Sequence, residues 1–161
     1  CWIGIQDARR HRGGTIFETE TRITQDGIDN SAARLLPAGT VCLSRTASVG
    51  YTVIMGGPMC TSQDFVNFVC TPAIAPRYLQ LILEAEYAAL KRFAKWAVHL
   101  TIYFPEVKAF HILLPPVVEQ HTIIAKVDAL MALCDDLEAH LNTARTLQVQ
   151  FSAAAVHHLD A

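Results

Sequence analysis

The chain has 161 residues, 52% of them hydrophobic, and a formal net charge of −2. That apolar content is ample for a folded core, no low-complexity tract argues for disorder, and no run of about 18 apolar residues reads as a membrane span. The near-neutral total excludes a uniformly basic protein, but not one whose charge is segregated along the chain.

The elements are read in chain order. Cys1-Trp2-Ile3-Gly4-Ile5 reads as the middle of a strand, so an N-terminal piece is expected to precede it. Thr15 to Thr19 reads as a short strand after the Gly13-Gly14 turn. Ile23 to Ile28 reads as a polar turn, and Ser31 to Leu36 as one helical turn. Pro37-Ala38-Gly39 launches a strand over Thr40–Ser44, and Ala47-Ser48-Val49-Gly50 is a tight loop before a second strand, Tyr51–Met55. Gly56-Gly57-Pro58 breaks the chain before the alternating strand Phe65–Val69. Pro76 to Trp96 carries helical spacing, and Val107 to Leu113 reads as a last strand. No internal repeat of fixed period appears.

The remainder is of another kind. Leu114-Pro115-Pro116-Val117-Val118-Glu119-Gln120 opens an amphipathic run to the C-terminus, without Gly or Pro from Val117 to Ala161. Prolines suit the start of a helix, where their missing N–H would be unpaired anyway, and Glu119 sits near the positive end of the dipole. Apolar side chains recur at Ile123, Val127, Leu130, Cys134, Leu137, Leu141 and Ala144, in alternating steps of four and three. Gln148 weakens this coiled-coil seam, which resumes at Phe151 and Ala155. Residues 1–114 hold 11 Lys/Arg against 9 Asp/Glu, a net of +2; residues 115–161 hold Lys126 and Arg145 against six acidic groups, a net of −4. The expected fold is α+β: a small twisted mixed sheet with packed helices over 1–114, then a long coiled-coil helix over 115–161.

Three stretches together resemble the specificity subunits of type I restriction–modification systems. One is Ile23-Thr24-Gln25-Asp26-Gly27-Ile28 with Ser31-Ala32. Another is Leu36-Pro37-Ala38-Gly39-Thr40-Val41 leading to Ser44-Arg45 and Ser48-Val49-Gly50, with Ser62-Gln63 and Phe65 after it. The third, and most specific, is Leu114-Pro115-Pro116-Val117-Val118-Glu119-Gln120 with Ile123. The resemblance implies a DNA target recognition domain followed by one of the family's two conserved helices, which pair antiparallel as a molecular ruler. It implies double-stranded DNA as a partner, methyltransferase subunits as another and, through them, a restriction subunit. The family's domain beginning and second unit have no counterpart here. A non-DNA-binding coiled-coil adaptor is the rival reading.

No catalytic residues are expected. Leu114-Pro115-Pro116-Val117 lacks the amide and aromatic that would hold a flipped base in a methyltransferase, and Glu106-Val107-Lys108 is too short a pattern to read as a nuclease. Ser44 and Ser48 lack a nucleophile context. Cys60 with Cys70, and His140 with His157-His158, lack zinc-type spacing, so neither metal nor cofactor is expected. Five scattered cysteines fit reduced thiols in a cytoplasmic protein.

For DNA binding, Arg9, Arg10 and Arg12 flank the Gly13-Gly14 turn, and arginine's planar fork suits both phosphate and guanine. Thr24 and Gln25 are small polar groups in a turn. Arg45 and Ser48 share one loop between strands, and Gln63 resembles them. Lys91, Arg92 and Lys95 lie near an expected helix end. Ile123, Val127, Leu130, Cys134, Leu137 and Leu141 form the expected helix-pairing face, with a second copy as partner in a homodimer.

Overall fold

The computed structural model describes residues 1–46, 49–86 and 111–159. In chain order the elements are β1 (Trp2–Ile3), α1 (Ile5–Arg10), β2 (Thr15–Ile16), α2 (Gln25–Asp29), β3 (Val41–Ser44), β4 (Thr52–Met55), β5 (Cys60–Thr61), β6 (Phe65–Phe68), α3 (Pro76–Ala85) and α4 (Val117–Leu159). Contacts divide the chain into two compact units, Cys1–His121 and Thr122–Ala161.

In the first unit a four-stranded sheet has the order β2-β4-β3-β6, and β1 pairs with β5 in a two-stranded sheet beside it. β2 runs parallel to β4, whereas β3 runs antiparallel to both β4 and β6. Strand alternation sends side chains to two cores. Val41, Leu43 and Val66 meet Leu79 and Leu83 of α3 on one face. Cys42, Val53, Met55 and Phe65 meet Ile3, Ala8, Ile16 and Met59 on the other. With both faces covered, all four residues of β3 are buried. This is the expected α+β class, with a small mixed sheet and a long C-terminal helix.

Several local expectations are corrected. The stretch Cys1–Ile5 is a strand for only two residues, because Asp7 folds back to accept from the Gly4 N–H at 3.0 Å and starts α1. Arg9 and Arg10 therefore belong to a helix rather than to a loop. β2 stops at Ile16, and the Thr19 hydroxyl instead accepts from the Trp2 N–H at 3.0 Å. The polar turn over 23–28 becomes α2, capped by the Thr24 hydroxyl, which accepts from the Gly27 N–H at 3.1 Å. Residues 31–36 form no helical turn: the Ser31 hydroxyl accepts from the Ala33 N–H, and Leu36 forms an isolated bridge with Met59. The two-residue β5 carries too little pattern to be read from sequence. Residues 111–113 form no strand, and residues 107–110 of that expected strand lie outside the described residues, as do residues 87–96 of the expected helix.

α4 is continuous over 43 residues, a length of about 65 Å at 1.5 Å per residue. Its first turn belongs to the sheet-bearing unit through Gln120, whose side chain is fully buried. The Gln120 Oε1 accepts from the Ala75 N–H at 2.8 Å, and its Nε2 donates to the carbonyls of Ala73 and Pro115 at 2.9 and 2.8 Å. Ala75 is the N-cap residue of α3 and has no side-chain oxygen of its own to offer. Gln120, from a distant part of the chain, satisfies the N–H of that N-cap residue. The Tyr78 hydroxyl adds a second tie, donating to the Leu113 carbonyl at 2.9 Å.

Gln120→Ala is expected to cost about 3 kcal/mol, since it strands a buried donor and two carbonyls at once. A urea titration comparing midpoints checks this. Burial pushes the Cys42 thiol from its ordinary 9.0 up to about 12. The stability tied to its neutral form is then whole below pH 9 and lost as pH rises toward 12. Thiol alkylation of the native protein at pH 8 should label the exposed Cys134 and spare the buried Cys42 and Cys60.

Candidate nucleic-acid interface

The strand directions bring one set of loops together. Because β2 and β4 are parallel and β3 is antiparallel to β4 and β6, the starts of β2, β4 and β6 meet the end of β3 at the same end of the sheet. The register places Leu43 opposite Thr52 and Ser44 opposite Phe65. Three connections therefore emerge side by side: the Arg12-Gly13-Gly14 turn, the loop that leaves β3 at Arg45, and the Ser62–Asp64 turn. Arg12, Arg45 and Gln63 are so gathered from positions far apart in the sequence.

Each of these groups is held. The Arg12 guanidinium lies 5.2 Å from the centre of the Tyr51 ring, a cation–π contact at the start of β4. The Arg45 Nε donates to the Gln63 carbonyl at 3.1 Å, and the Arg45 N–H donates to the Asp64 carbonyl at 2.8 Å. The Asp64 carboxylate accepts from the hydroxyls of Thr46 and Ser62, so two of the three loops share one anchor. The Gln63 side chain itself is exposed.

The basic turn is built on α1. Arg9 and Arg10 close its last turn, where cations oppose the negative end of the helix dipole. Arg10 is paired with Glu20 at 2.7 Å on the surface, and the hydrogen bond to that carboxylate raises its pKa. Arg9 and Arg12 are exposed. Thr24 caps α2, and the Gln25 Nε2 donates to Asp29 Oδ1 at 2.8 Å one helical turn on, so both side chains already serve their own helix.

Beside the Ser62–Asp64 turn lies a cleft of about 590 Å³, lined by Trp2, Ser31, Arg34, Ser62, Gln63 and Asn67 among others. In its wall the buried Oδ1 of Asn67 has no hydrogen-bond partner among the described residues, while its Nδ2 donates to the Thr61 hydroxyl at 2.7 Å. Arg34, exposed at the cleft, is a cation that sequence reasoning missed. It stands alone between apolar residues in the sequence, and only the fold brings it beside Gln63.

Ser48, Lys91, Arg92 and Lys95 lie outside the described residues. Along α4, Ile123 and Val127 are half-buried, whereas Leu130, Cys134, Leu137 and Leu141 are exposed. Among the described residues no three His, Cys, Asp or Glu side chains are grouped to hold a metal ion, and no helix is long and apolar enough to cross a membrane.

A sheet end that offers polar and basic loops has the chemistry to meet a polar or anionic partner. Comparison with known proteins gives the chain a family. The family described as type I restriction modification DNA specificity domain matches residues 2–144, and the chain belongs to it. The type I restriction enzyme MjaIX specificity subunit of Methanocaldococcus jannaschii is 27% identical over 85 residues, which is 53% of this chain and 20% of that protein. Two solved structures are similar in fold at 21% identity. One is a chain from work on complex assembly and conformational transition of the type I R-M system, with a TM-score of 0.56 over 65% of this chain and 26% of that one. The other is the HsdS subunit from Thermoanaerobacter tengcongensis, with a TM-score of 0.54 over 65% of this chain and 25% of that one. This chain thus spans about a fifth to a quarter of the length of these relatives.

Asp64→Ala removes the acceptor for Thr46 and Ser62. It should cost about 1–2 kcal/mol in chemical denaturation. The amide signals of Arg45 and Thr46 should shift in the same variant, and those of α3 should not.

Proposed function

We propose that this chain is a DNA-reading part of a type I specificity subunit. Residues 1–114 would act as its target recognition domain and residues 115–161 as its coiled-coil helix. The observation that carries this reading is the gathering of Arg12, Arg45 and Gln63 at one end of a covered sheet, in a member of a DNA specificity family. Rigid strands fix the bases of the loops, and the loops present arginines and amides, the side chains best matched to phosphates and to guanine or adenine edges. Arg9 and Arg12 would set affinity through phosphates; Arg45 and Gln63 would read bases. Arg10 is paired with a carboxylate and Thr24 and Gln25 bond within their own helix, so each would contribute to DNA binding only by exchanging that partner. Ser48, Lys91, Arg92 and Lys95 complete the proposed contact set.

The chain itself would be non-catalytic. It would direct methyltransferase subunits and, through them, a restriction subunit, all in the cytoplasm. The exposed stripe of Leu130, Cys134, Leu137 and Leu141, continuing from Ile123 and Val127, supports pairing with a second helix. We propose a second copy of this chain as the partner, giving a homodimer.

Filter binding to duplex DNA at rising salt tests the reading. The logarithm of the association constant should fall linearly with that of salt, with a slope of about −0.9 for each phosphate engaged. A slope near zero rejects DNA binding. Arg45→Ala should cost about 1–3 kcal/mol on the cognate sequence and relax one base position. Light scattering should give twice the chain mass, and Leu137→Asp should return it to the monomer value.

A further inference from the structure

α3 has a polar stripe that its core-packing role leaves unexplained. Leu79 and Leu83 face the sheet, but Arg77, Gln80 and Glu84 recur at the spacing of a second face of the same helix. All three converge on the Gly13-Gly14 turn. The Arg77 Nη1 donates to the Gly13 carbonyl at 3.2 Å and to the Gln80 Oε1 at 2.8 Å. The Gln80 Nε2 donates to the Gly14 carbonyl at 3.4 Å. Glu84 reaches Arg77 at 3.7 Å and accepts from the Thr52 hydroxyl at 2.9 Å.

The turn is held from the sheet side as well. The Gly13 N–H donates to the Thr52 carbonyl, the Gly14 N–H to the His11 carbonyl, and the Ile54 N–H to the Gly14 carbonyl. All four backbone polar groups of the two glycines are therefore paired. Gly13 has φ +74, and a Cβ there would stand 3.0 Å from Glu84 Oε1, so the clamp closes on a bare backbone. Gln80 is completely buried. A solvated surface turn needs none of this, since water would satisfy its carbonyls.

We infer that Arg77, Gln80 and Glu84 of α3 are positioning residues for DNA binding, fixing the Arg9–Arg12 basic segment in its DNA-engaging geometry before DNA arrives. The inference rests on the reading that this segment faces DNA. A preordered segment loses little conformational freedom on binding. Releasing the clamp should therefore weaken binding without changing how many phosphates are touched. The signature is a parallel downward shift of the salt line, distinct from the shallower slope that follows removal of a contacting arginine.

The test compares Glu84→Ala, Glu84→Gln, Thr52→Val and Arg12→Ala in the full chain. Duplex DNA is titrated across salt, and amide exchange of Gly13 and Gly14 is followed without DNA. Glu84→Ala should speed exchange at both glycines and lower the association constant about three- to tenfold at every salt concentration. Its slope should be unchanged. Glu84→Gln, which keeps an acceptor for Thr52, should recover part of the loss. Arg12→Ala should make the slope shallower by about 0.9 if it meets one phosphate. Wild-type affinity in Glu84→Ala despite faster exchange overturns the inference, and so does a shallower slope in that variant. If Glu84→Ala fails to fold, Thr52→Val decides by the same two readouts. A wild-type chain with no DNA affinity overturns the DNA reading itself, and the exchange rates then report on the clamp alone.

Discussion

The side-chain amide of Gln120 is the tie on which the arrangement of the sheet-bearing unit depends. It reaches from the first turn of α4 to the N-terminus of α3, 45 residues earlier, and satisfies one amide and two carbonyls with the two polar atoms of its side chain. Full burial of the Gln120 side chain makes the bond from the Ala75 N–H in particular costly to lose, because no water replaces it. Ala75 has no side-chain oxygen to cap α3, and its own N–H, at the start of that helix, is satisfied by a residue far along the chain.

The position of α3 matters because it serves two sides. Its leucines close one core of the sheet, while its polar stripe grips the glycine turn ahead of β2. Order therefore passes from Gln120 to α3, and from α3 to the segment that carries the arginines. At the opposite edge of the loop cluster, Asp64 ties two further loops together. Carboxylates and amides inside the domain thus fix backbone geometry, while Arg9 and Arg12 are exposed. Where a cation already has a carboxylate, as Arg10 has Glu20, an incoming phosphate would have to compete for it.

Long-period features were legible in the sequence. The absence of Gly and Pro after Pro116 and the four–three spacing announce α4, and the β-rich runs at 40–44, 51–55 and 65–69 announce β3, β4 and β6. The shorter elements were hidden because their signals are tertiary. α1 is an exception, set by the local bond from the Gly4 N–H to Asp7, a signal of a single residue against an apparent strand. The two-residue β5 carries no period of its own. For the candidate site, residue type was legible and company was not. Arg12, Arg45 and Gln63 stand out as polar groups in turns, yet only the strand directions bring them to one end. Thr24 and Gln25 show the converse: suitable chemistry is absorbed by a helix too short to be seen from its pattern. The roles of Gln80 and Glu84 were out of reach, because a polar stripe on a helix ordinarily faces solvent.

The Pro-Pro-x-x-Glu-Gln stretch also changes where this protein can sensibly be cut. By composition the seam between globule and rod falls at the prolines, yet the last stitch of the globule lies beyond them, at residue 120. A fragment excised at residue 114 would leave behind the glutamine that finishes α3. One carried through His121 would keep it, at the modest expense of a single extra helical turn.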